Sequence, residues 1–192
     1  PPVVKASKDG QPLGASAEPC PIHLLRRAGG GIAATVTQPG RYTLDRADGR
    51  QSILDASGLP APITLAGPWR VRFPSGASQA RDWPQLISWS ENSDDAVRHF
   101  SGTASYETQF HLPAEKLGPG RRLTLDLGRV EVIAEVRVNG KDLGTLWKRP
   151  FAVDITDAVS PGSNTIEIKV TNNWWNRLVG DDRLPANQRT TF

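Results

Sequence analysis

The stretch Ala134-Glu-Val-Arg-Val-Asn-Gly-Lys-Asp-Leu-Gly-Thr-Leu-Trp147 decides the fold. From Ala134 to Val138, residues of small or apolar character alternate with charged ones, which is the pattern of a strand with one buried face. Asn139-Gly140 follows, and both central residues of a type I′ turn need the positive φ that Asn and Gly tolerate best. We therefore predict an antiparallel hairpin whose return strand runs from Lys141 to Trp147.

Segments on both sides of this hairpin carry further strand patterns. They lie at Trp69–Phe73, Gly102–Leu112, Arg121–Gly128, Pro150–Asp157 and Thr165–Asn172. Short turns separate most of them, and helical periodicity is nearly absent apart from single turns near 114–117 and 156–159. Many short strands with frequent turns favour antiparallel pairing in a sandwich or barrel. We predict an all-β protein with an antiparallel β-sandwich or barrel over residues 61–192.

The N-terminal third has a weaker pattern. Residues 1–30 are rich in Pro, Gly, Ala and Ser, and only Ile22–Leu25 resembles a strand, so we expect a linker or the tail of a preceding domain. Over residues 31–60, two turn signals separate three short strands near 32–37, 41–46 and 50–55. Such a small antiparallel β segment is marginal alone and should pack on something else.

The composition excludes several classes of protein. With 38% apolar and 22% charged residues, the chain is unlike a disordered one, and its apolar runs are far shorter than the ~20 residues of a membrane helix. The 23 basic and 20 acidic residues are scattered, whereas a nucleic-acid binder clusters its basic residues. We therefore expect neither a nucleic-acid nor a membrane partner. Cys20, the single cysteine, has no partner for an internal disulfide.

Three blocks of sequence resemble a known family. They are Ser101–Ala104, Gly144–Lys148 and Thr171–Asp182. The strand pattern around them resembles the galactose-binding-like sandwich of glycoside hydrolase family 2. This resemblance implies an antiparallel jelly-roll β-sandwich over residues 61–192. The blocks themselves, with the opening Leu65–Phe73, are more similar to the sandwich late in the bacterial α-L-rhamnosidases of glycoside hydrolase family 106.

This resemblance implies a non-catalytic C-terminal domain of a multidomain glycoside hydrolase that acts on rhamnosides. Its partner would be a catalytic (β/α) barrel of the same protein, which nothing in this chain matches. The family pattern continues past Phe192 into a final strand, so we expect the sandwich to lack that strand. The chain has no initial Met, so we expect it to start inside a longer product, secreted or periplasmic in a bacterium. We expect no cofactor, although sandwiches of this type often carry a structural calcium.

No catalytic or metal-binding residue stands out. A glycosidase needs two carboxyl groups facing one bond, about 5 Å or about 6.5–9.5 Å apart. Asp94-Asp95 and Asp181-Asp182 are neighbours in sequence, and in extended backbone such side chains point to opposite faces. The three histidines show no metal-ligand spacing.

One loop after a strand has the residue types of a sugar-binding site. Aromatic rings suit the apolar C–H faces of a sugar, while amides, carboxylates and guanidinium suit its hydroxyl groups. We expect one of the two adjacent tryptophans to pack inward and the other to be exposed. The candidate substrate-binding residues are Asn173, Trp174, Trp175, Asn176, Arg177 and Asp181.

Several alternatives remain open. Both tryptophans of that loop could pack against the barrel, or Asn176, Arg177 or Asp181 could complete the rim of its active site. Among the other tryptophans, we expect Trp69 in the core and Trp147 in the core or an interface. Those at positions 83 and 89 lie on a long loop, where an interface and a binding role are equally expected. At the level of function, the alternatives are a stand-alone carbohydrate-binding module and a purely structural sandwich.

Overall fold

The computed structural model describes residues 1–14, 20–28, 31–74 and 80–191. The chain divides into two compact units, Pro1–Ile63 and Thr64–Phe192. Each unit has its own cluster of buried apolar side chains.

The first unit consists of short antiparallel strands. A four-stranded sheet has the order β2-β1-β5-β6, and β3 and β4 form a separate hairpin. Ile22, Tyr42 and Leu44 are the buried core of the unit. Its strands are β1 (Val3–Lys8), β2 (Gln11–Pro12), β3 (Ile22–Arg26), β4 (Ile32–Val36), β5 (Arg41–Arg46) and β6 (Gln51–Asp55).

Residues 1–14 and 20–28 contain strands β1 to β3, where we predicted a linker or the tail of a preceding domain. Strand β1 pairs with β5 from Val3 opposite Arg46 to Lys8 opposite Tyr42, so this segment is an inner strand of the sheet. Tertiary packing stabilises this strand although its own sequence has few apolar residues, because Val3 and Ala6 pack against the buried core of the unit. The parts of the linker prediction that concern residues 15–19 and 29–30 lie outside the described residues. The three strands predicted over residues 31–60 are present.

The second unit is built on a six-stranded antiparallel sheet of order β12-β11-β14-β9-β7-β8, with β10 and β13 as a separate pair. Two short α-helices and four 3-10 turns complete the secondary structure of the described part. The strands are β7 (Trp69–Arg72), β8 (Arg81–Trp83), β9 (Thr103–Leu112), β10 (Thr124–Asp126), β11 (Ile133–Val138), β12 (Lys141–Leu146), β13 (Ala152–Asp154) and β14 (Gly162–Thr171). The helices are α1 (Asp95–Arg98) and α2 (Trp175–Asp181), and the 3-10 turns are Trp89–Glu91, Ala114–Lys116, Thr156–Ala158 and Ala186–Gln188. This architecture confirms the predicted all-β class.

Alternation along the central strands creates the core. Ala134, Val136 and Val138 of β11 are buried. On β14, Ile166 and Ile168 opposite them are buried as well, and Val170 is partly buried. At the tip of the predicted hairpin, Asn139 and Gly140 have φ values of 49° and 78°, as the type I′ turn requires. The buried face of β11 and the turn hold the hairpin in its register, which shifts between Glu135 and Arg137, while β12 has no fully buried residue.

The outer face of the six-stranded sheet carries a row of charged residues, one from each strand. Opposite charges are cross-strand neighbours along the row, except at its centre, where two glutamates face each other. In strand order the row is Asp142, Arg137, Glu167, Glu107, Arg70 and Asp82. Cross-strand pairs of opposite charge stabilise a sheet, so this face is compatible with solvent.

Three of the tryptophans lie in the core. Trp69 is buried as predicted, and Trp83 and Trp89 are buried as well, although we expected them on an exposed loop. Trp83 lies on β8 opposite Trp69, and the Trp89 indole N–H donates to the Tyr106 hydroxyl. The segment that carries Trp89 folds over the sheet, which sequence periodicity does not reveal.

Trp147 does not lie in the core, because its side chain is 67% exposed, and the interface that we expected as the alternative stays a prediction. It follows Leu146, the last paired residue of β12, and β12 is an edge strand. Nothing in the ladder therefore covers its ring.

The longest helix of the described part has seven residues, and no helix there could cross a membrane.

Candidate functional site

The segment predicted as a sugar-binding loop forms helix α2. Trp174 is its N-cap residue and provides no side-chain cap. Two other side chains accept hydrogen bonds from the first turn. The side-chain Oδ1 of Asn173 accepts from the backbone N–H of Trp175 at 3.2 Å, and the Ser101 hydroxyl accepts from the backbone N–H of Arg177 at 3.1 Å. Sequence reasoning missed this helix because its distant cap comes from residue 101 instead of the N-cap position.

Further contacts fix α2 against the segment that precedes β9. The Asn172 side chain accepts from the Gly102 N–H at 2.9 Å and donates to the Phe100 carbonyl at 3.0 Å. Gly180 lies so close to His99 that an added Cβ would be 2.7 Å from the His99 Cβ. The position of α2 is thus defined along its whole length.

Asp181 is 2% exposed and faces the C-terminal segment. Its Oδ2 accepts from the Thr190 N–H at 2.8 Å, the Thr191 N–H at 2.6 Å and the Thr191 hydroxyl at 2.8 Å. Burial raises the pKa of Asp181, but these hydrogen bonds and the charge of Arg177 outweigh it, so that the pKa lies below its ordinary value. The carboxylate predicted to bind sugar is thus engaged in holding the chain segment that follows it.

Both tryptophans of the segment are exposed, whereas we expected one to pack inward. Trp174 is 62% exposed and Trp175 is 68% exposed, and Leu178 and Val179 on the same helix face are 40% and 51% exposed. We call these four residues the apolar arc. The opposite face carries Asn176, Arg177, Gly180 and Asp181, which are half-buried or buried. The polarity of α2 is therefore the reverse of that of an ordinary surface helix.

The two aspartate doublets have structural partners. Asp94 caps α1 by accepting from the Ala96 N–H at 2.9 Å, and it pairs with Arg81 at 2.6 Å. The hydrogen bond from Arg81 lowers the pKa of Asp94. Asp95 pairs with Arg98 at 2.9 Å. With Asp181 engaged by the C-terminal segment, neither doublet forms the facing carboxyl pair of a glycosidase.

The fold brings together one carboxylate pair that sequence reasoning missed. Glu107 and Glu167 are directly opposite each other on β9 and β14. The Cβ atoms of such a pair are typically about 4.5–5.5 Å apart. The alternation of each strand predicts that both glutamates point outward. It does not predict that their two strands, 60 residues apart, pair with each other. Each has an arginine, Arg70 or Arg137, as its other cross-strand neighbour. The pair belongs to the charged row on the outer sheet face, not to a cleft that would enclose a sugar.

The described residues also bear on metal binding. No three or more His, Cys, Asp or Glu side chains come together there in a way that could hold a metal ion. The structural calcium suggested by the family resemblance therefore has no side-chain ligand set in this part of the chain.

Comparison with known proteins places the fold in a family. Residues 86–189 match the family described as glycosyl hydrolase 2 galactose-binding domain-like. A protein of Formosa agariphila named "Putative beta-glucuronidase" is 44% identical over 149 residues, which are 77% of this chain and 13% of that protein. The structure of a rhamnosidase from Novosphingobium sp. PP1Y is 37% identical with a TM-score of 0.65, and covers 90% of this chain and 17% of the rhamnosidase.

The chain spans less than a fifth of the length of either relative. The family match extends over more than half of the chain and includes β9, β11, β12, β14 and α2. The chain belongs to the glycosyl hydrolase 2 galactose-binding domain-like family.

Proposed function

We propose that this chain is a non-catalytic domain of a multidomain α-L-rhamnosidase and that it supports the catalytic barrel of that enzyme. The observation that carries the proposal is the likeness to the Novosphingobium rhamnosidase, at 37% identity and a TM-score of 0.65 over 90% of this chain. The chain corresponds to only 17% of that enzyme, so most of the rhamnosidase lies outside the matched part.

The carboxylates support a non-catalytic role. Glycoside hydrolysis requires an acid and a second carboxylate on two sides of one bond in an enclosed site. The aspartates of both doublets instead cap helices, form ion pairs or hold the chain, apart from the exposed Asp182. The chemistry would therefore come from another domain of the enzyme.

Two forms of the protein and two substrates test this proposal. We would assay the full-length gene product and the isolated 192-residue chain with an aryl α-L-rhamnoside and an aryl β-D-glucuronide. We expect the full-length protein to hydrolyse the rhamnoside and the isolated chain to hydrolyse neither. Hydrolysis by the isolated chain, or a full-length protein inactive on both substrates, would contradict the proposal.

A second candidate is a β-glucuronidase. It is favoured by the 44% identity to the Formosa agariphila protein of that name. The same assay decides, because this candidate requires hydrolysis of the glucuronide and not of the rhamnoside. Either enzyme would be secreted or periplasmic in a bacterium, which fractionation of the host cells would test.

Sugar binding by the domain itself is a separate part of the proposal. The exposed rings of Trp174 and Trp175 could stack on a sugar, while Asp181 would have to release Thr190 and Thr191 to reach one. Titration of the chain with rhamnose and rhamnosides, followed by tryptophan fluorescence, measures binding directly. A shift that Trp174→Ala and Trp175→Ala abolish would support a carbohydrate-binding module, and no shift at millimolar sugar would support a structural domain.

A further inference from the structure

The apolar arc is exposed although the face of α2 that contacts the domain is polar. A helix normally buries its apolar face, because about 25 cal/mol is gained for each Å² of apolar surface removed from water. Here Gly180 and Asp181 face the domain, while Trp175 and Val179 face outward. The contacts from Ser101, His99 and Thr191 hold the helix in this orientation.

Two more exposed apolar side chains lie at the same end of the sheet. Strand β12 ends beside the start of β11, where Leu146 is paired with Ala134, and this places Trp147 near Val132. The start of β11 is paired with the end of β14 at Thr171, from which the chain continues into α2. The ends of β12 and β14 are two strands apart, which is about 10 Å. Val132 and Trp147 thus extend the apolar arc across one end of the sandwich.

The side chains of this end favour a protein surface over a saccharide. Leu178 and Val179 are half of the residues of the arc, and branched aliphatic groups offer a sugar neither a stacking face nor a hydrogen bond. Two of the polar side chains that a sugar would need are engaged, since Asn173 accepts from the first turn of the helix and Asp181 holds Thr190 and Thr191. Clustered tryptophans with aliphatic neighbours are instead typical of the anchors of protein interfaces.

The rim of the arc is basic. Lys148 and Arg149 follow Trp147, and Arg183 follows the helix, all with exposed side chains. On the acidic side, Glu131 is paired with Arg129, which leaves Asp182 as the exposed acid next to α2. A complementary partner surface is therefore apolar at its centre and acidic at its edge.

We propose that the apolar arc, with Val132 and Trp147, docks on an apolar, acid-rimmed surface of the catalytic domain in the same polypeptide. This inference rests on the proposed function and specifies the contact surface of the domain. Matched relatives of which this chain covers 13% and 17% provide ample polypeptide for such a partner. A partner in the same chain is present at an effective concentration in the millimolar range, so that a modest interface is sufficient.

Thiol labelling of cysteine variants tests the docking. In a Cys20→Ser background, which removes the exposed natural cysteine, Leu178→Cys and Val179→Cys place a thiol in the arc. Leu86→Cys is the matched control, because Leu86 is 50% exposed and follows Trp83 at the opposite end of the sheet. Labelling by a maleimide is quantified at each site by peptide mass spectrometry, in the isolated chain and in the full-length protein.

We expect all three variants to react at similar rates in the isolated chain. In the full-length protein, the two arc variants should react at least about tenfold more slowly, which corresponds to about 1.4 kcal/mol of docking free energy, while L86C is unchanged. Equal rates for L178C and L86C in the full-length protein, or a gene product no longer than this chain, would overturn the docking. Protection that appears only when a rhamnoside is added would overturn it in favour of a saccharide site.

Rhamnosidase and glucuronidase assays on the same preparations separate the two proposals. Protection of the arc without either activity would leave the docking intact and reject the enzymatic function. Rhamnosidase activity without protection of the arc would support the enzymatic function and reject the docking.

Discussion

At the scale of single residues, Asp181 was predicted to bind a sugar, and the structure shows protein partners for its carboxylate that the sequence did not suggest. A carboxylate beside two tryptophans and an arginine has the composition of a sugar site. In the structure its Oδ2 is surrounded by three donors from Thr190 and Thr191. Those partners lie in an irregular segment nine and ten residues further along the chain, where no periodicity predicts contact.

Asp181→Asn should release the C-terminal segment, because an amide is a weaker acceptor than a carboxylate for three donors. We expect faster amide hydrogen exchange at Thr190 and Thr191, measured by mass spectrometry. The folded-state pKa of Asp181 is depressed, so wild-type protection is present above the ordinary aspartate pKa and is lost as pH falls through the lower folded value. Asp182→Asn, at the exposed neighbour, is the control, and equal exchange in both variants would contradict this account.

Glycine is required at position 180 by the close approach of His99, and not by a left-handed backbone conformation. Gly180→Ala should destabilise the second unit by about 1–3 kcal/mol, since the new Cβ would lie 2.7 Å from the His99 Cβ. Helix propensity alone predicts the opposite sign, a gain of about 1 kcal/mol. Urea unfolding followed by tryptophan fluorescence distinguishes the two. Val179→Ala on the exposed face should stay within about 0.5 kcal/mol of wild type.

At the scale of elements, the hairpin and α2 mark the range of what sequence can predict. The β11–β12 hairpin was predictable, because its turn residues and its alternation are both local signals. Helix α2 was not, because its N-cap position holds Trp174 and the distant cap is Ser101, 76 residues from Arg177. Its apolar residues do recur at helical spacing, but seven residues are too few for periodicity to identify a helix, and the spacing does not show that this face points away from the core.

Ser101→Ala should weaken α2 specifically. It leaves the Arg177 N–H without its acceptor, at a cost of about 1 kcal/mol, typical of a lost helix cap. We expect faster amide exchange over residues 175–181 and a small decrease in the urea midpoint. Ser163→Ala, at an exposed position on β14, should change neither quantity. Unchanged exchange in α2 would show that Asn172 and His99 suffice to hold the helix.

At the scale of the whole molecule, the sequence predicted most strands of the second unit and those over residues 31–60 of the first, but not strand β1. The alternating strands of the sandwich carry their own burial signal, and the core follows from them. Strand β1 has no such signal and depends on its pairing with β5. The buried positions of Trp83 and Trp89 likewise depend on chain packing, through contacts with Phe73 and Tyr106, which no local pattern encodes.

The core of the second unit should have a distinct alkaline transition. Burial raises the pKa of Tyr106 from an ordinary value near 10 to about 12, with the hydrogen bond from Trp89 acting in the opposite direction. Because the folded pKa is the higher one, this contribution is complete below pH 10 and is lost as pH rises towards 12, roughly 2–3 kcal/mol in all. All six tryptophans lie in this unit, so their fluorescence reports its unfolding.

Tyr106→Phe should remove that part of the pH dependence. At neutral pH it should cost about 1–3 kcal/mol, because the buried Trp89 N–H loses its acceptor. Tyr42→Phe in the first unit is the control and should leave the tryptophan-monitored alkaline transition in place. An unchanged alkaline transition in Y106F would assign it to other groups.

The charged row on the outer face of the six-stranded sheet has a consequence for the rate of association. The row contains four acidic and two basic groups, so its net charge is −2 (2 − 4), and opposite charges closer than the Debye length of about 8 Å at physiological salt cancel only in part. The exposed groups beside the apolar arc have the opposite net sign, with Lys148, Arg149 and Arg183 against Asp182. The charge of the domain is therefore unevenly distributed, and an acidic partner surface would orient the basic groups around α2 towards itself before any contact forms. Added salt should slow this approach while leaving the apolar contact itself little changed.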